Sequence, residues 1–221
     1  MNKTAVIVCN GEFPRKEYPR YILRNADYIV CCDGALTKYL KNMDKIFGTE
    51  RMPDIVIGDM DSISKAARKK YTGTFIHETE QDYNDQTKAV RYVIGHLGDV
   101  SSIYILGAGG GREDHTIGNL SLLMEYTRMF DLKARGITIE TVSDYSSAFA
   151  ITDTSEIHCG QGRSISIFSP DKSLNIISEG LQWKTDEVVF DNWWKATLNK
   201  SSGDIVKLKF SHPSMALIIL N

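Results

Sequence analysis

The chain has 221 residues, and its 26 Lys and Arg against 28 Asp and Glu give a net charge of −2. Its 42% hydrophobic and 24% charged fractions are ordinary for a globular protein, which excludes a disordered tail, a collagen-like fibre and a low-complexity scaffold. The charge balance lacks the basic excess that binds nucleic acid. No apolar stretch approaches the ~20 residues that span a bilayer, and the run at residues 5–9 is too short for a signal-peptide core. We therefore expect a cytoplasmic protein with no nucleic-acid or membrane partner.

The four cysteines contain no C-x-x-C pair, which excludes zinc-ribbon and thioredoxin motifs. Cys9, Cys31 and Cys32 lie in or beside apolar runs. We predict that they are small buried thiols of a protein from a reducing compartment.

The first ~130 residues alternate between strand-like and helix-like patterns, as in doubly wound α/β domains. Near-continuous apolar runs predict strands that are buried on both faces, as in parallel sheets, at residues 5–9, 28–32, 55–57, 74–76 and 102–106. Apolar stripes at 3–4 spacing predict helices over residues 87–97 and 116–129. The sequence predicts a doubly wound α/β domain, with a mostly parallel, Rossmann-like sheet, over residues 1–133.

The pattern changes near Gly136, after which short strand candidates alternate with turn signals and no long helical stripe remains. The candidates are residues 137–142, 148–151, 164–168, 174–177, 188–190, 205–210 and 215–220. They predict a C-terminal all-β sandwich domain over residues 134–221.

Polar residues follow the first-half strands, and ligands of open α/β sheets bind beyond the carboxyl ends of the strands. In Gly58-Asp59-Met60-Asp61-Ser62, directly after the third strand, two carboxylates can converge on one hard cation such as Mg²⁺. The alternative is a helix N-cap at Asp61 or Ser62.

The second polar segment is Gln81-Asp82-Tyr83-Asn84-Asp85-Gln86-Thr87-Lys88, at the start of a predicted helix. Asp82 and Asp85 are three residues apart, so on a first turn they would share a face. Acidic residues also stabilise a helix N-terminus through its dipole, which is the alternative for Asp82. A lysine there is unfavourable, and a bound phosphate would explain Lys88 better.

The third segment, Gly107-Ala108-Gly109-Gly110-Gly111-Arg112-Glu113-Asp114-His115, is a glycine-rich strand-to-helix turn. Its backbone N–H groups can cradle phosphate, although it is neither a Walker A loop nor G-x-G-x-x-G. Arg112 suggests a guanidinium that clamps a phosphoryl group, and the alternative is a tight turn with a solvated arginine. With Asp33-Gly34 after the second strand, these parts match phosphoryl transfer.

The chain resembles thiamine pyrophosphokinase in these three segments, in Asp33-Gly34 and in Gly180-Leu181-Gln182-Trp183. That family transfers the pyrophosphoryl group of ATP to the hydroxyl of thiamine and releases AMP. The resemblance implies an α/β nucleotide domain, a β-sandwich and a homodimer with sites at the subunit junction.

The resemblance also implies the roles of individual residues. Mg²⁺ ligands would be Asp59, Asp61, Asp82 and Asp85, and catalytic residues would be Asp61, Asp85 and Arg112. ATP would contact Asp33, Gly34, Lys88, Gly107, Gly109, Gly110, Arg112 and Asp114. Thiamine would contact Gln81, Asp82, Trp183 and Asn199.

One departure affects the thiamine site. The family usually carries a Ser-Asn pair late in the chain, and here Leu198 stands in the serine position before Asn199. Trp183 or Trp194 could stack on thiamine, with the sandwich core as the alternative location for both. The rival functions are another Mg-dependent phosphotransferase or nucleotide hydrolase, and a non-catalytic nucleotide-binding module.

Overall fold

The computed structural model describes residues 2–221, which divide into two compact units. One unit extends to Leu122 and includes Leu132–Asp144, and the other comprises Leu123–Asp131 and Tyr145–Asn221. No helix among the described residues is both long and apolar enough to cross a membrane.

The first part of the chain alternates strands and helices. Its elements are β1 (Lys3–Val8), α1 (Glu17–Arg24), β2 (Tyr28–Cys32), α2 (Ala35–Phe47), β3 (Ile55–Gly58), α3 (Lys65–Lys70), β4 (Thr74–His77), α4 (Asp85–His96), β5 (Val100–Leu106), α5 (Glu113–Phe130), α6 (Leu132–Arg135) and β6 (Thr138–Val142). The five strands and two helices predicted from the apolar patterns are confirmed, since they correspond to β1–β5, α4 and α5.

The strands of this unit form a parallel sheet in the order β6-β5-β1-β2-β3-β4. Residues Ala5 to Val8 of β1 are fully buried, as expected for a strand covered on both faces. The chain crosses from β1 to β2 on one side and reaches β5 on the other, so the order reverses between β1 and β5. That switch point is where open α/β sheets bind ligands.

β6 differs from expectation, because the sequence pattern groups residues 137–142 with the β-rich half. In the structure Ile139 lies in parallel register with Ile103 of β5, so β6 extends the α/β sheet. A turn and another strand, rather than a helix, follow β6, so its local pattern is that of an antiparallel strand.

The β-rich unit contains seven strands. They are β7 (Ser147–Ile151), β8 (Ser155–His158), β9 (Ser164–Phe168), β10 (Ile176–Glu179), β11 (Asn199–Lys200), β12 (Ile205–Phe210) and β13 (Ala216–Leu220). They form an antiparallel β11-β9-β13-β7 group and a three-stranded β10-β12-β8 sheet. Ile167 and Ile218 from the first group share one buried core with Ile176 and Leu208 from the second.

One predicted strand of this unit is wrong, and the short strands β8 and β11 have no matching prediction. Residues 188–190 are not a strand: Val188 N–H closes a turn on the Thr185 carbonyl, and Phe190 is buried without joining a ladder. Apolar character alone does not separate such a segment from a strand. β8 carries only one buried apolar residue, Ile157, and was not predicted.

Candidate active site

A cleft of about 440 Å³ opens at the carboxyl ends of β1 and β5. One wall is the segment that follows β1, and the other is the predicted glycine-rich loop between β5 and α5. Three backbone bonds join the walls: Cys9 N–H donates to Leu106 O, Gly11 N–H to Gly107 O and Glu12 N–H to Gly109 O, at 2.7–2.8 Å. The loop is therefore held open as a strand-to-helix turn, as the sequence predicts.

Gly11 makes this pairing possible. A Cβ at this position would lie 2.1 Å from the carbonyl oxygen of Gly109 and 2.4 Å from that of Gly107. Both obstacles are backbone atoms that cannot rotate away, so only glycine allows the walls to approach this closely. The ammonium of Lys38 on α2 holds the same segment by donating to the carbonyls of Asn10 and Gly11, at 2.5 and 2.7 Å.

A network of amide side chains forms part of the cleft lining. Asn119 on α5 donates to Ala108 O in the loop at 2.7 Å, and its side-chain oxygen accepts from Asn84 at 2.8 Å. Asn84 caps α4 by accepting from Thr87 N–H, and Gln86 donates to Asn119 O at 3.0 Å. The network ties the first turn of α4 to the loop through α5.

Three aspartates lie close together beside this cleft. Asp33 follows β2, Asp59 follows β3, and Asp85 is the first residue of α4. A Cβ on Gly58 would lie 2.7 Å from Asp33 Cβ and 3.3 Å from Asp85 Oδ1, so the two carboxylates flank the end of β3. Burial raises the pKa of Asp85, and the negative charges of Asp33 and Asp59 raise it further, while Lys88 acts against them. The three side chains thus form one interacting acidic group.

Asp33 is the most buried member of that group, with 3% of the residue exposed. Its Oδ2 accepts from Ser62 N–H at 3.0 Å, whereas its Oδ1 is buried without a hydrogen-bond partner. A buried carboxylate oxygen without a donor is costly, so this atom fits a position next to a bound cation.

The paired aspartates after β3 do not cap the next helix. Ser64 caps α3, since its hydroxyl accepts from Ala67 N–H at 3.2 Å. Asp59 instead accepts from Asp61 N–H at 3.1 Å, and Asp61 itself is exposed to solvent. Asp82 also lies outside its helix, where Asn84 is the cap and Asp85 the first residue. The helix-cap alternative for Asp61 and Ser62 is therefore wrong.

The two cations predicted for phosphate are placed differently. The residue Lys88 is buried, and its ammonium lies 3.5 Å from Asp85 Oδ1 and donates to Glu78 O at 3.2 Å. Arg112 is exposed at the mouth of the cleft, where it makes a two-pronged contact with Asp114 that lowers the pKa of that carboxyl. Arg112 can exchange this exposed partner for a ligand, whereas Lys88 is fixed beside Asp85.

Two of the three predicted thiols border the cleft. Cys9, Cys31 and Cys32 are all buried and free, as predicted. The sulfurs of Cys9 and Cys32 lie 3.8 Å apart and border the cleft. The contact with Cys9 and burial raise the pKa of Cys32, and burial raises that of Cys31.

In the β-rich unit, Trp183 is 54% exposed and Trp194 68% exposed, so the core alternative is wrong for both. Asn199 is buried, and its side chain brackets the Trp183 backbone: Oδ1 accepts from Trp183 N–H at 3.1 Å and Nδ2 donates to Trp183 O at 2.6 Å. Leu198 has a positive φ of 58° and is 73% exposed. In the other unit, Gln81 and Asp82 are exposed on the segment before α4.

Several residues that line the cleft or hold it have no role in the prediction from sequence. They are Cys9, Asn10, Gly11, Lys38, Ser62, Asn84, Gln86, Thr116 and Asn119. The sequence does signal part of this set, because the Cys9-Asn10-Gly11 run directly after β1 repeats the placement of Asp33-Gly34 after β2.

Two family models match the chain. The one described as "Thiamin pyrophosphokinase, catalytic domain" covers residues 19–134, and "Thiamin pyrophosphokinase, substrate-binding domain" covers residues 148–215. The chain belongs to the thiamine pyrophosphokinase family. The activity of this family is transfer of the pyrophosphoryl group of ATP to thiamine, so the chain is an enzyme of thiamine diphosphate biosynthesis.

Relatives and solved structures agree with this family. Thiamine pyrophosphokinase 1 of Oryza sativa subsp. japonica is 31% identical over 209 residues, which cover 82% of this chain and 74% of the relative. The thiamine pyrophosphokinase of Candida albicans has a TM-score of 0.78 at 18% identity, over 99% of this chain and 88% of the other. That of Bacillus subtilis has a TM-score of 0.77 at 18% identity, over 99% of each chain. At these identities the two structures show a shared fold.

Proposed function

We propose that pyrophosphoryl transfer from ATP to thiamine takes place in the cleft at the carboxyl ends of β1 and β5, on a Rossmann-like nucleotide-binding domain of residues 1–133. The observation that carries this proposal is the glycine-rich loop, which is held beside an acidic group whose buried member, Asp33, has a carboxylate oxygen without a partner. A glycine-rich loop before a helix binds phosphate, and neighbouring carboxylates bind a cation that the phosphates also contact.

ATP binds along the loop in this proposal. Backbone N–H groups at Gly107, Gly109 and Gly110 face the phosphates, and Gly34 lets the chain after β2 approach the nucleotide. Arg112 leaves Asp114 to grip the transferred group as its charge develops, because a guanidinium binds phosphoryl oxygens with the same two-pronged geometry. Asp114 holds Arg112 in place until then.

Lys88 supports the site electrostatically. It is buried beside Asp85 and lowers the pKa of that carboxyl against the effect of burial. It therefore favours the ionised form of Asp85, and its positive charge also favours a phosphate nearby. Contact between Lys88 and the triphosphate, which the family resemblance implies, would use the N–H donor that the contacts with Asp85 and the Glu78 carbonyl leave over.

Mg²⁺ is the cation we propose for the acidic group. No set of three or more His, Cys, Asp or Glu side chains within residues 2–221 is arranged to hold a metal. Mg²⁺ commonly takes only one or two carboxylates and completes its shell with water and substrate phosphates, so carboxylates of this kind fit it. Asp59, Asp61, Asp82 and Asp85 are the proposed ligands, and the unpartnered Oδ1 of Asp33 supports a role for this residue beside the same cation as well as beside the nucleotide. The cation supplies charge neutralisation for the transferred phosphates.

The thiamine hydroxyl meets a carboxylate of this group. A primary alcohol is a weak nucleophile at neutral pH, so Asp85 orients it and accepts its proton, while Asp61 completes the catalytic set with Arg112. Asp85 is half-buried at the start of α4 and borders the cleft, which suits a group that touches both substrates.

Thiamine itself is positively charged and aromatic, and two kinds of residue suit it. Gln81 and Asp82 offer polar and negative groups on an exposed segment. Trp183 offers an exposed ring for stacking, and Asn199 fixes the backbone of that tryptophan. The domain of residues 134–221 has the role of thiamine binding and dimerisation in this proposal.

We also propose a homodimer in which each thiamine site draws on both chains, and a cytoplasmic location. Trp193 and Trp194, exposed by 62% and 68%, supply apolar surface suited to a subunit contact. The free cysteines suit a reducing compartment, where ATP is also supplied.

The test is chromatography of the products formed from ATP, Mg²⁺ and thiamine. We expect thiamine diphosphate and AMP in equal amounts, with AMP release dependent on thiamine. Thiamine monophosphate with ADP would refute pyrophosphoryl transfer. AMP or ADP without thiamine would indicate a hydrolase, and nucleotide binding without any product would indicate a binding module.

A further inference from the structure

Two thiols meet at the floor of the cleft, and neither the family's reaction nor the proposed roles use them. Cys9 directly follows β1 and Cys32 ends β2, and their sulfurs are 3.8 Å apart. Both border the cleft, so a small solute that enters the site reaches them. The contact brings together residues 23 positions apart in the chain.

The backbone already places these residues as a disulfide requires. Val8 and Cys31 are register partners in the parallel β1–β2 pair, so Cys9 and Cys32 are the next residues along. Neighbouring strands lie about 4.8 Å apart, which falls within the ~4.4–6.8 Å between Cα atoms of a disulfide. The sulfurs need only turn toward each other.

Cys31 is excluded as a partner by the alternation of side chains along β2. It points to the opposite face from Cys32 and belongs to the apolar core beneath α2 and α3. Cys159 lies in the β-rich unit and is bonded weakly to Asp204 O. The choice of partner is therefore set by the fold.

We propose that Cys9 and Cys32 are a dithiol whose reversible oxidation to a disulfide stops turnover in the cleft. With a peroxide as oxidant, the Cys9 sulfur attacks one peroxide oxygen, an S–O bond forms, the O–O bond breaks and one water leaves. The Cys32 sulfur then attacks the Cys9 sulfur, an S–S bond forms, the S–O bond breaks and a second water leaves. Two thiols are oxidised and one peroxide is reduced to two waters.

The disulfide disturbs the site because both thiols hold α4. Cys9 donates to Gln86 Oε1 at 3.8 Å and Cys32 to Asp85 O at 3.5 Å. Both bonds are lost when the hydrogens leave, and the sulfurs draw together from 3.8 Å to about 2.0 Å. The first turn of α4, which carries Asp85, is then released from the strand ends.

The experiment exposes the full-length reduced protein to a small excess of hydrogen peroxide, followed by non-reducing peptide mapping and activity assay before and after dithiothreitol. We expect a Cys9–Cys32 disulfide and a loss of turnover of about tenfold or more that dithiothreitol restores, since small displacements at a reacting site are costly. Cys159→Ser is the matched control and should behave like the unaltered chain.

Cys9→Ser and Cys32→Ser should form no such disulfide and show no dithiothreitol-reversible loss, each compared with its own untreated activity. The proposal fails if the unaltered chain gives no Cys9–Cys32 peptide, if the disulfide forms without loss of turnover, or if both serine variants keep the reversible loss. The mapping result stands even if a serine variant folds poorly, because it uses the unaltered chain.

Discussion

The unpartnered oxygen of Asp33 is the feature of the acidic group that distinguishes a cation-binding carboxylate from a purely structural one. A structural carboxylate would have both oxygens satisfied by protein donors. Asp33 has one oxygen bonded to Ser62 N–H and one without a partner. Its charge is therefore a cost to the fold that a bound cation would offset.

We predict that Asp33→Asn leaves the melting temperature of the metal-free protein equal or higher, because it removes a buried charge near Asp59 and Asp85. The Mg²⁺ concentration needed for half-maximal turnover should rise about tenfold or more, as for other residues that support a metal site. Thermal melts without Mg²⁺ and an activity titration with Mg²⁺ measure the two effects. A destabilised variant with an unchanged Mg²⁺ requirement would show that Asp33 is structural.

Gly11 tests the pairing of the two cleft walls. We predict that Gly11→Ala lowers turnover about a hundredfold, because its Cβ would overlap the carbonyl oxygens of Gly107 and Gly109 and push the loop outward. Gly95→Ala on α4 is the matched control, since its Cβ meets nothing within 4 Å. Steady-state kinetics and circular dichroism compare them. Near-normal turnover of Gly11→Ala would mean that the loop position does not matter.

Among the elements of the β-rich unit, the short strand β11 does more than pair with β9. It carries Asn199, whose side chain holds Trp183 by both its N–H and its carbonyl. Trp183 follows the Gly180-Leu181 turn, and an isolated bridge joins Leu181 to Ser201. The exposed tryptophan is thus held by buried polar contacts rather than by packing of its ring.

We predict that Asn199→Ala raises the KM for thiamine about tenfold, the equivalent of one well-placed contact, while the KM for ATP stays the same. The reason is that the Trp183 backbone loses both hydrogen bonds to the Asn199 side chain, one through its N–H and one through its carbonyl. Steady-state kinetics with each substrate varied in turn measure this, with Ser202→Ala as a control. Equal rises for both substrates would point to general unfolding of the unit.

The turns after β9 and before β13 are joined by the carboxylate of Asp171. It accepts from the hydroxyls of Ser173 and Ser214 at 2.6 and 2.8 Å, and His212 Nε2 lies 3.0 Å away. Bonds from Ser173, then His212 and Ser214, hold the pKa of Asp171 well below its ordinary value of 3.8. A carboxyl whose pKa is lower in the folded state stabilises the fold above the unfolded pKa and loses that effect as the pH falls.

We predict that Asp171→Asn lowers the free energy of unfolding by about 1 kcal/mol at pH 7, the value of a charged hydrogen bond in a partly exposed site. The difference from the unaltered chain should shrink as the pH falls below about 4, where the unfolded carboxyl takes up its proton. Urea denaturation at several pH values measures it. Glu156→Gln, which breaks an exposed pair with Lys207, should have a much smaller effect. A pH-independent difference would assign the loss to packing.

At the scale of the whole molecule, the proposed homodimer makes a prediction that no single-chain variant can test. We predict that Asp61→Asn and Trp183→Ala are each inactive, and that mixing them after mild dissociation restores about a quarter of the unaltered activity. When equal amounts of the two variants reassemble at random, half of the dimers contain one chain of each variant. In such a dimer one of the two sites is intact, so a quarter of all sites are active.

The control for this mixing is each variant dissociated and reassembled alone, which should stay inactive. No recovery on mixing, with dimers confirmed by sedimentation, would place each site within one chain. A monomer at assay concentration would end the homodimer proposal.

The sequence by itself determined the parts that depend on local pattern. Apolar runs located β1 to β5, because strands buried on both faces must be apolar throughout. Glycines after Leu106 located the loop, and carboxylates after β3 and before α4 located the acidic residues, since polar groups at strand ends have no core role. These motifs also carried the resemblance to the family.

Tertiary structure alone decided which of these residues meet. Asn119, on α5, reaches the loop and α4 only because both helices pack at the same edge of the sheet. The register of β1 against β2 sets Cys9 beside Cys32, and the close approach at Gly58 sets Asp33 beside Asp85. Burial separates Lys88, fixed beside Asp85, from the exposed Arg112. Such contacts join residues far apart in the chain, so local pattern holds no record of them.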